Sequence, residues 1–457
     1  MAKLSEKIGY GMGDMSSSMF WKIFSYYLPI FYSDVFGLTL AQTATLMFVT
    51  RLWDTVSDPM MGVIADRTKT RWGKYRPYLL WFAAPFAIAG VLLFTTPDWD
   101  NQGRLIYAYI TYILMMTVYT GINVPYASML GVMTSDSQEK TVFSSFRMFF
   151  AYGGSFIALF AWEPLCKLFS ETFERTQTGA WQGAMIVIAV ICFCLFVGCF
   201  LLTKEHVKMK TGASLGSDFK ALLRNAPWWI ITGGALCTNL FNTVRGATVA
   251  YYFKYYIGEN AHISLGTMEF LFFAGLFLAV GEVCNMIGVV CAVPLSKRFG
   301  KKSTFIVSAI AMAVLSVLFF YVPVSNGGFI TMLLLQILIS IFTGIVSPLV
   351  WSMYADVADY STVKNGTAST ALIFSSGSMA QKFGGAIAGS AVLLLFDAFG
   401  LVPNAAEQTE TALLGMRLTM SYIPAAVAAI MALIIWIYPL TTSRMQDISL
   451  KLKNAME

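Results

Sequence analysis

The sequence is short of charge. Asp, Glu, Lys and Arg make up 12% of its 457 residues, about half the share usual in soluble domains, while 57% of it is hydrophobic. Too few charges are present to cover a water-facing surface, so most of the surface must face hydrocarbon. Histidine is scarcer still: His206 and His262 both fall in expected loops, which argues against a histidine-ligated metal. The seven cysteines (Cys166, Cys192, Cys194, Cys199, Cys237, Cys284, Cys291) lie in or near apolar segments without metal-ligand spacing or a readable disulfide framework. No nucleophile–His pair, His-Glu-x-x-His or phosphate-binding glycine loop occurs, which argues against an enzyme with a bound cofactor. No stretch is polar enough for a soluble nucleic-acid-binding domain, so the net charge of +6 needs another home.

Long apolar runs are abundant instead. Twelve spans are expected at 10–36, 41–64, 77–97, 104–133, 146–169, 182–203, 228–257, 266–296, 303–323, 328–355, 368–396 and 416–440. Each needs roughly 20 residues, so twelve use about 240 and leave the rest for loops and tails. The first follows Lys3 and Lys7 and ends in Phe31-Tyr32-Ser33-Asp34 without a small-residue cleavage motif, so it reads as a retained span. Basic residues crowd the tails and the even-numbered loops, most densely at Arg67, Lys69, Arg71, Lys74 and Arg76 and at Lys297, Arg298, Lys301 and Lys302. Acidic residues (Asp98, Asp100, Glu171, Glu174, Glu407, Glu410) gather in the odd-numbered loops. By the positive-inside rule both termini are cytoplasmic, which also accounts for the excess positive charge.

The sixth loop divides the chain near its midpoint. Gly62-Val-Ile-Ala-Asp66-Arg67 leading to Arg71-Trp72-Gly73-Lys74 follows span two, and Pro294-Leu-Ser-Lys297-Arg298-Phe299-Gly300-Lys301-Lys302 takes the matching place after span eight. The expected fold is an all-α membrane protein of twelve transmembrane helices in two pseudo-symmetric six-helix halves. These are residues 1–203 and 228–440, joined by a cytoplasmic loop at 204–227 and followed by a tail at 441–457. The Asp-Arg/Gly-Lys loop resembles the cytoplasmic signature of the major facilitator superfamily.

An ionisable residue at a span centre costs about 2.5–3.5 kcal/mol on insertion scales, so those present are functional candidates. Asp54 and Asp58 lie four apart on one helix face, with Arg51 three residues before Asp54. Paired carboxylates suit Na+, a hard cation that takes oxygen ligands, or a shared proton. A structural Arg51–Asp54 ion pair is the plainer alternative. Thr120 and Asn123 offer neutral oxygens just before Pro125 on the fourth span, or serve helix–helix hydrogen bonding around a kink. Arg147 opens the fifth span, and Ser378 and Lys382 stand four apart on the eleventh. Asp14, Ser17 and Ser18 accompany aromatic residues on the first, the mixture that binds a sugar's apolar faces and hydroxyls. Asp356 and Asp359 end the tenth span on the side that carries Lys297 and Arg298, as an ionic lock on a cytoplasmic gate would require.

Four stretches then carry a specific resemblance: Tyr10-Gly11-Met12-Gly13-Asp14, Arg51-Leu52-Trp53-Asp54-Thr55-Val56-Ser57-Asp58-Pro59-Met60-Met61-Gly62, Arg71-Trp72-Gly73-Lys74-Tyr75-Arg76-Pro77 and Ala355-Asp356-Val357-Ala358-Asp359-Tyr360. The chain resembles, over nearly its whole length, the glycoside–pentoside–hexuronide:cation symporters, the melibiose permease family. The resemblance implies a monomer in a bacterial cytoplasmic (inner) membrane that couples uptake of a small sugar to Na+ or H+, without a cofactor. It also implies that Asp54, Asp58 and Thr120 bind the cation, with Asn123 beside them. Departures appear where the family's melibiose carriers read sugar: their Lys-Asp pair falls at Ser17-Ser18, a fourth-span aspartate at Asn123 and a tryptophan at Ala127, while Arg147 and Lys382 match their basic positions. The substrate expected is a glycoside, pentoside or hexuronide: a site holding two bases without those acids points towards a uronate-containing glycoside, and a neutral sugar whose hydroxyls accept from the two bases is the alternative. A proton-coupled exporter of the same superfold is the competing expectation.

Overall fold

The computed structural model describes residues 3–134, 137–206, 223–258, 261–265, 268–365, 370–405 and 407–448. Among these, thirteen α-helices of at least 11 residues dominate. Seven precede the chain's first strand: α1 (Leu4–Ile30), α2 (Leu40–Arg67), α3 (Arg76–Leu93), α4 (Asn101–Met133), α5 (Ser137–Glu171), α6 (Gln177–Leu202) and α7 (Ala226–Tyr251). A hairpin of β1 (His262–Leu265) and β2 (Met268–Leu271) follows, antiparallel with His262 opposite Leu271. Six helices complete the chain: α8 (Ala274–Phe299), α9 (Lys301–Phe320), α10 (Asn326–Asn365), α11 (Thr370–Ala398), α12 (Glu410–Met420) and α13 (Tyr422–Trp436).

The helix starts follow local chemistry. Thr39 caps α2 by accepting from the Gln42 N–H while Gln42 Oε1 accepts from the Thr39 N–H, a reciprocal capping box. Asp100, Thr176, Asn225 and Thr409 cap α4, α6, α7 and α12 in the simpler way, each accepting from one N–H of the first turn. Both α1 and α7 run into a π-helical segment, Phe31–Val35 and Tyr252–Ile257. Glycines close the two at nearly the same left-handed angle, Gly37 at φ 89° and Gly258 at φ 90°, a conformation a side chain would strain.

Nine helical stretches among the described residues are long and apolar enough to cross a membrane, α12 and α13 counting as one. Twelve were expected; α1, α2 and α7 have the length, 27, 28 and 26 residues, but carry the ionisable and polar side chains that lower their apolar character. Several boundaries differ from expectation, three of them by a change of local structure or a long overrun. The start of the eighth span, set at 266, is taken by the hairpin, and α8 begins at Ala274. The tenth runs on as one 40-residue helix past its expected end at 355. The last is broken at Ser421, whose φ −129° and ψ −81° are not helical.

Two compact units emerge. The first is Met1–Thr211 with Ala274–Ala279 and Val402–Ala406; the second is Gly212–Phe273, Val280–Leu401 and Glu407–Glu457. In the first, α1 packs on α5 and α6, α3 on α4 and α6, and α2 on α4. Its interior is aromatic: Phe20 meets Phe24 and Phe86, and Trp162 meets Phe94 and Trp181. In the second, α7 packs on α11 and α13 and α9 on α10 and α13, around Phe241, Phe305, Met353, Tyr354 and Tyr438.

Candidate functional site

Within the first unit, the helical period puts Arg51, Asp54 and Asp58 on one stripe of α2. The Trp53 indole N–H donates to Thr117 Oγ1 at 2.8 Å, fixing the register of α2 on α4. One turn further along α4, the Thr120 hydroxyl lies 3.2 Å from Asp54 Oδ1 and 3.0 Å from Asp58 Oδ1. Ser57 Oγ is 3.3 Å from the same oxygen and also donates to the Asp54 carbonyl. Asp54 and Thr120 are each 2% exposed. Two carboxylates therefore converge on a hydroxyl with one hydrogen to give, a set of oxygens that suits a hard cation or a proton. Arg51 lies over aromatic faces, its guanidinium carbon 4.4 Å from the Trp21 ring centre and 5.4 Å from that of Phe24.

The expected sugar residues of α1, α4 and α5 form a second cluster in the same unit. Arg147 Nε donates to Asp14 Oδ2 at 2.9 Å, and its guanidinium lies over the Tyr126 ring. Tyr126 stacks on Tyr10 and donates to the Tyr10 carbonyl. A Cβ on Gly13 would be 2.5 Å from the Tyr126 ring, so the glycines of Tyr10-Gly11-Met12-Gly13-Asp14 admit a ring rather than a phosphate. Ser17 donates to Asn123 Oδ1 at 2.8 Å, and the Asn123 amide donates to the Tyr119 carbonyl. Two expectations change here. Arg147 does have an acid partner, Asp14, because the pair spans two packed helices where the sequence argument looked only at Ser18 and Asn123. Asn123, expected both beside the carboxylates and among the sugar residues, spends its side-chain oxygen on Ser17 of α1. Ser18 is half-buried and Ala127 is exposed.

In the second unit Lys382 is half-buried on α11. Gly384 and Gly385 on the same helix lie against Leu236 and Asn239 of α7. The side chain of Ser378 is outside the described residues, as are those of Asp66 and Lys140 and most of the middle loop. The expected lock takes a different partner. Asp356 binds Lys301, whose Nζ lies 2.6 Å and 2.8 Å from its two oxygens, while Lys297, Arg298 and Asp359 are exposed. Gly300 turns the chain between α8 and α9, so Lys301, the first residue of α9, presents its charge where the last turn of α8 does not.

Three polar residues escaped the sequence reading. Arg245, 5% exposed in α7, was legible by the same rule that singled out Asp54. Glu163 accepts from Tyr27 Oη at 2.8 Å and from the Gly275 N–H at 3.0 Å. Glu205, just after α6, accepts from the backbone N–H groups of Lys74, Tyr75 and Arg76 at 2.7–2.8 Å and so caps α3. The last two act through contacts distant in sequence, which no spacing reveals.

The fold is that of a solute carrier of the major facilitator type. It matches the crystal structure of the nucleoside transporter NupG with a TM-score of 0.66 at 13% identity, covering 94% of this chain and 99% of that one. It matches a bacterial homologue of the human drug peptide transporters PepT1 and PepT2 with a TM-score of 0.67 at 10% identity, covering 95% and 98%. The family model for MFS/sugar transport proteins matches residues 9–442. The chain is 35% identical to the putative glycoside/cation symporter YagG of Escherichia coli (strain K12), over 98% of its own length and 95% of that protein's. The isoprimeverose transporter of Lactiplantibacillus pentosus is 32% identical over 93% and 86%, and the glucuronide carrier protein homolog of Escherichia coli (strain K12) 29% over 98% and 95%. The chain belongs to the glycoside–pentoside–hexuronide:cation symporter family. It is a multi-pass sugar transporter of the bacterial inner membrane, not an enzyme.

Proposed function

We propose that the protein imports a neutral glycoside or pentoside together with one coupling cation, Na+ or H+, by alternating access. The observation that carries the coupling is the Asp54–Thr120–Asp58 cluster: two carboxylates and a hydroxyl meet in a helix contact, a set of oxygens that fits a hard cation or a proton shared between the carboxylates. Relatives named as a glycoside/cation symporter and an isoprimeverose transporter support the same reading. The Asp14–Arg147 pair favours a neutral sugar, because Arg147 already has a counter-charge and Ser17, Ser18 and Asn123 offer hydroxyl-matching groups. Ala127 leaves open space on α4, and Ser378 and Lys382 are the second unit's candidates for sugar contact. Three polar helices, α1, α2 and α7, added to the nine apolar ones give twelve spans in two halves, the basic ends and both termini being cytoplasmic. The unit is a monomer in the lipid bilayer. Export by a proton-coupled carrier of this fold is the alternative.

The test is uptake into proteoliposomes of a panel of p-nitrophenyl glycosides (xyloside, glucoside, galactoside, glucuronide) under an imposed Na+ or pH gradient. Accumulation driven inward by one of the two ions is expected. Efflux driven by an inward proton gradient, with no accumulation, would establish the exporter.

A further inference from the structure

Arg245 lies in the last third of α7 and is 5% exposed, in the interior of the second unit. Such a charge is costly within a membrane span and persists where specific partners receive it. Among the described residues its hydrogen-bond partners are neutral. One terminal nitrogen donates to the Met420 carbonyl at 2.8 Å, the other to Gln336 Oε1 of α10 at 2.7 Å. The guanidinium carbon lies 5.2 Å from the Phe319 ring centre and 6.0 Å from that of Phe241.

The Met420 carbonyl has a particular need. In an unbroken helix it would accept from the N–H of residue 424, and residue 424 is proline, which has none. The helix breaks at this place: α12 ends at Met420, Ser421 is non-helical and α13 starts at Tyr422, with the Ala425 N–H bonded to the Ser421 carbonyl. Arg245 thus reaches the one carbonyl that the proline leaves without its usual donor. A lysine could serve that carbonyl, but a planar fork is needed to hold a second acceptor on another helix at the same time.

We propose that Arg245 is a positioning residue: from α7 it supplies the donor that Pro424 withholds from Met420 and clamps Gln336, so that the break in the last span and the first third of α10 keep one geometry. Because α10 also carries Asp356, bound to Lys301, the clamp fixes the helix on which that ion pair depends.

The experiment uses the purified full-length carrier and the variants Arg245→Met, Arg245→Lys, Pro424→Ala and the double variant Arg245→Met/Pro424→Ala, followed by thermal unfolding and amide hydrogen exchange. Arg245→Met should lower Tm by roughly 3 °C or more and speed exchange at least tenfold at 418–428 and 332–340. Pro424→Ala restores a backbone donor, so in the Arg245→Met background it should recover at least half of the lost Tm and slow exchange at 418–428, leaving 332–340 fast. Arg245→Lys should protect 418–428 and not 332–340. A role as mere bulk predicts instead that Pro424→Ala shifts Tm equally with and without Arg245, and that lysine and methionine behave alike at 418–428. Either result overturns the proposal, as does an Arg245→Met carrier with unchanged exchange in both segments.

Discussion

Replacing Asp58 with asparagine keeps the size of the side chain and removes its charge. In the native cluster Asp58 Oδ1 and Asp54 Oδ1 lie 3.0 and 3.2 Å from the Thr120 oxygen, and these oxygens are the proposed seat of the coupling cation or proton. Removing one carboxylate removes half of the charge of that seat. If cation and sugar strengthen each other by about 1–3 kcal/mol, roughly 5–150-fold, the variant loses that factor and no more, because Asp14, Ser17, Asn123 and Arg147 are untouched. The expected result is therefore specific: the sugar Kd of Asp58→Asn in saturating cation equals the wild-type Kd without it. Accumulation against a gradient should vanish while downhill exchange persists. Calorimetric titration of the purified carrier with its p-nitrophenyl glycoside, with and without NaCl and at two pH values, gives the binding arm, and proteoliposome uptake gives the other. Asp54→Asn should behave in the same way. A variant whose sugar affinity still rises with cation, or which still concentrates sugar, would make the carboxylates structural.

Lys301→Gln should free Asp356 and shift the carrier towards the conformation in which the basic ends of the second unit's helices separate, read as faster labelling of single cysteines placed there; Lys297→Gln and Arg298→Gln should leave labelling unchanged. Glu205→Ala removes a charged acceptor from three N–H groups at the start of α3, so it should cost about 1–3 kcal/mol and speed amide exchange at 74–78, with Glu205→Gln losing less. A glucuronide should bind no more tightly than the matching glucoside, since Arg147 is already paired, and Asp14→Asn should move preference towards the glucuronide; a tenfold native preference for the uronate, about 1.4 kcal/mol, would reverse the assignment.

Apolar runs were legible because hydrocarbon demands them, and helices α1, α2 and α7 stand where spans were expected, although their polar side chains keep them out of the apolar set. Local competition was not. The segment 268–271, Met-Glu-Phe-Leu, is as apolar as a helix start, and only its pairing with 262–265 makes it a strand. The break at Ser421 depends on Pro424 and on Arg245, 176 residues earlier than Ser421, so no window contains its cause. The same limit explains the site. Asp54 and Asp58 could be set on one face from their spacing, and their meeting with Thr120 rested on resemblance. Arg147 was judged short of an acid because two substitutions were counted, while Asp14, inside a quoted motif, lay across the helix contact that sequence does not display. Lys301 was displaced by one turn in the expectation because the bend at Gly300 resets which residue points inward.

The proposed internal repeat offers a reason to seek the coupling cation in the first unit. Thr120-Gly121-Ile122-Asn123-Val124-Pro125 on α4 returns on α10 as Thr343-Gly344-Ile345-Val346-Ser347-Pro348. In the first unit this motif faces α2 through side chains, and the gap holds carboxylates and hydroxyls. In the second, α8 and α10 meet backbone to backbone: a Cβ on Gly288 would lie 2.1 Å from the Ile341 carbonyl oxygen, and one on Gly344 2.3 Å from that of Asn285. Thr343 turns its hydroxyl to its own helix, donating to the Ile339 carbonyl at 2.9 Å. A hard cation of calcium's size needs oxygens about 2.3–2.6 Å away on several sides, hence a gap of about 5 Å between facing helices' oxygens. The glycine crossing leaves no such gap. One scaffold duplicated in sequence thus gives a polar, charge-lined contact where side chains stand between the helices and a tight crossing where glycines remove them, which is why a coupling cation is sought beside Thr120 and not beside Thr343.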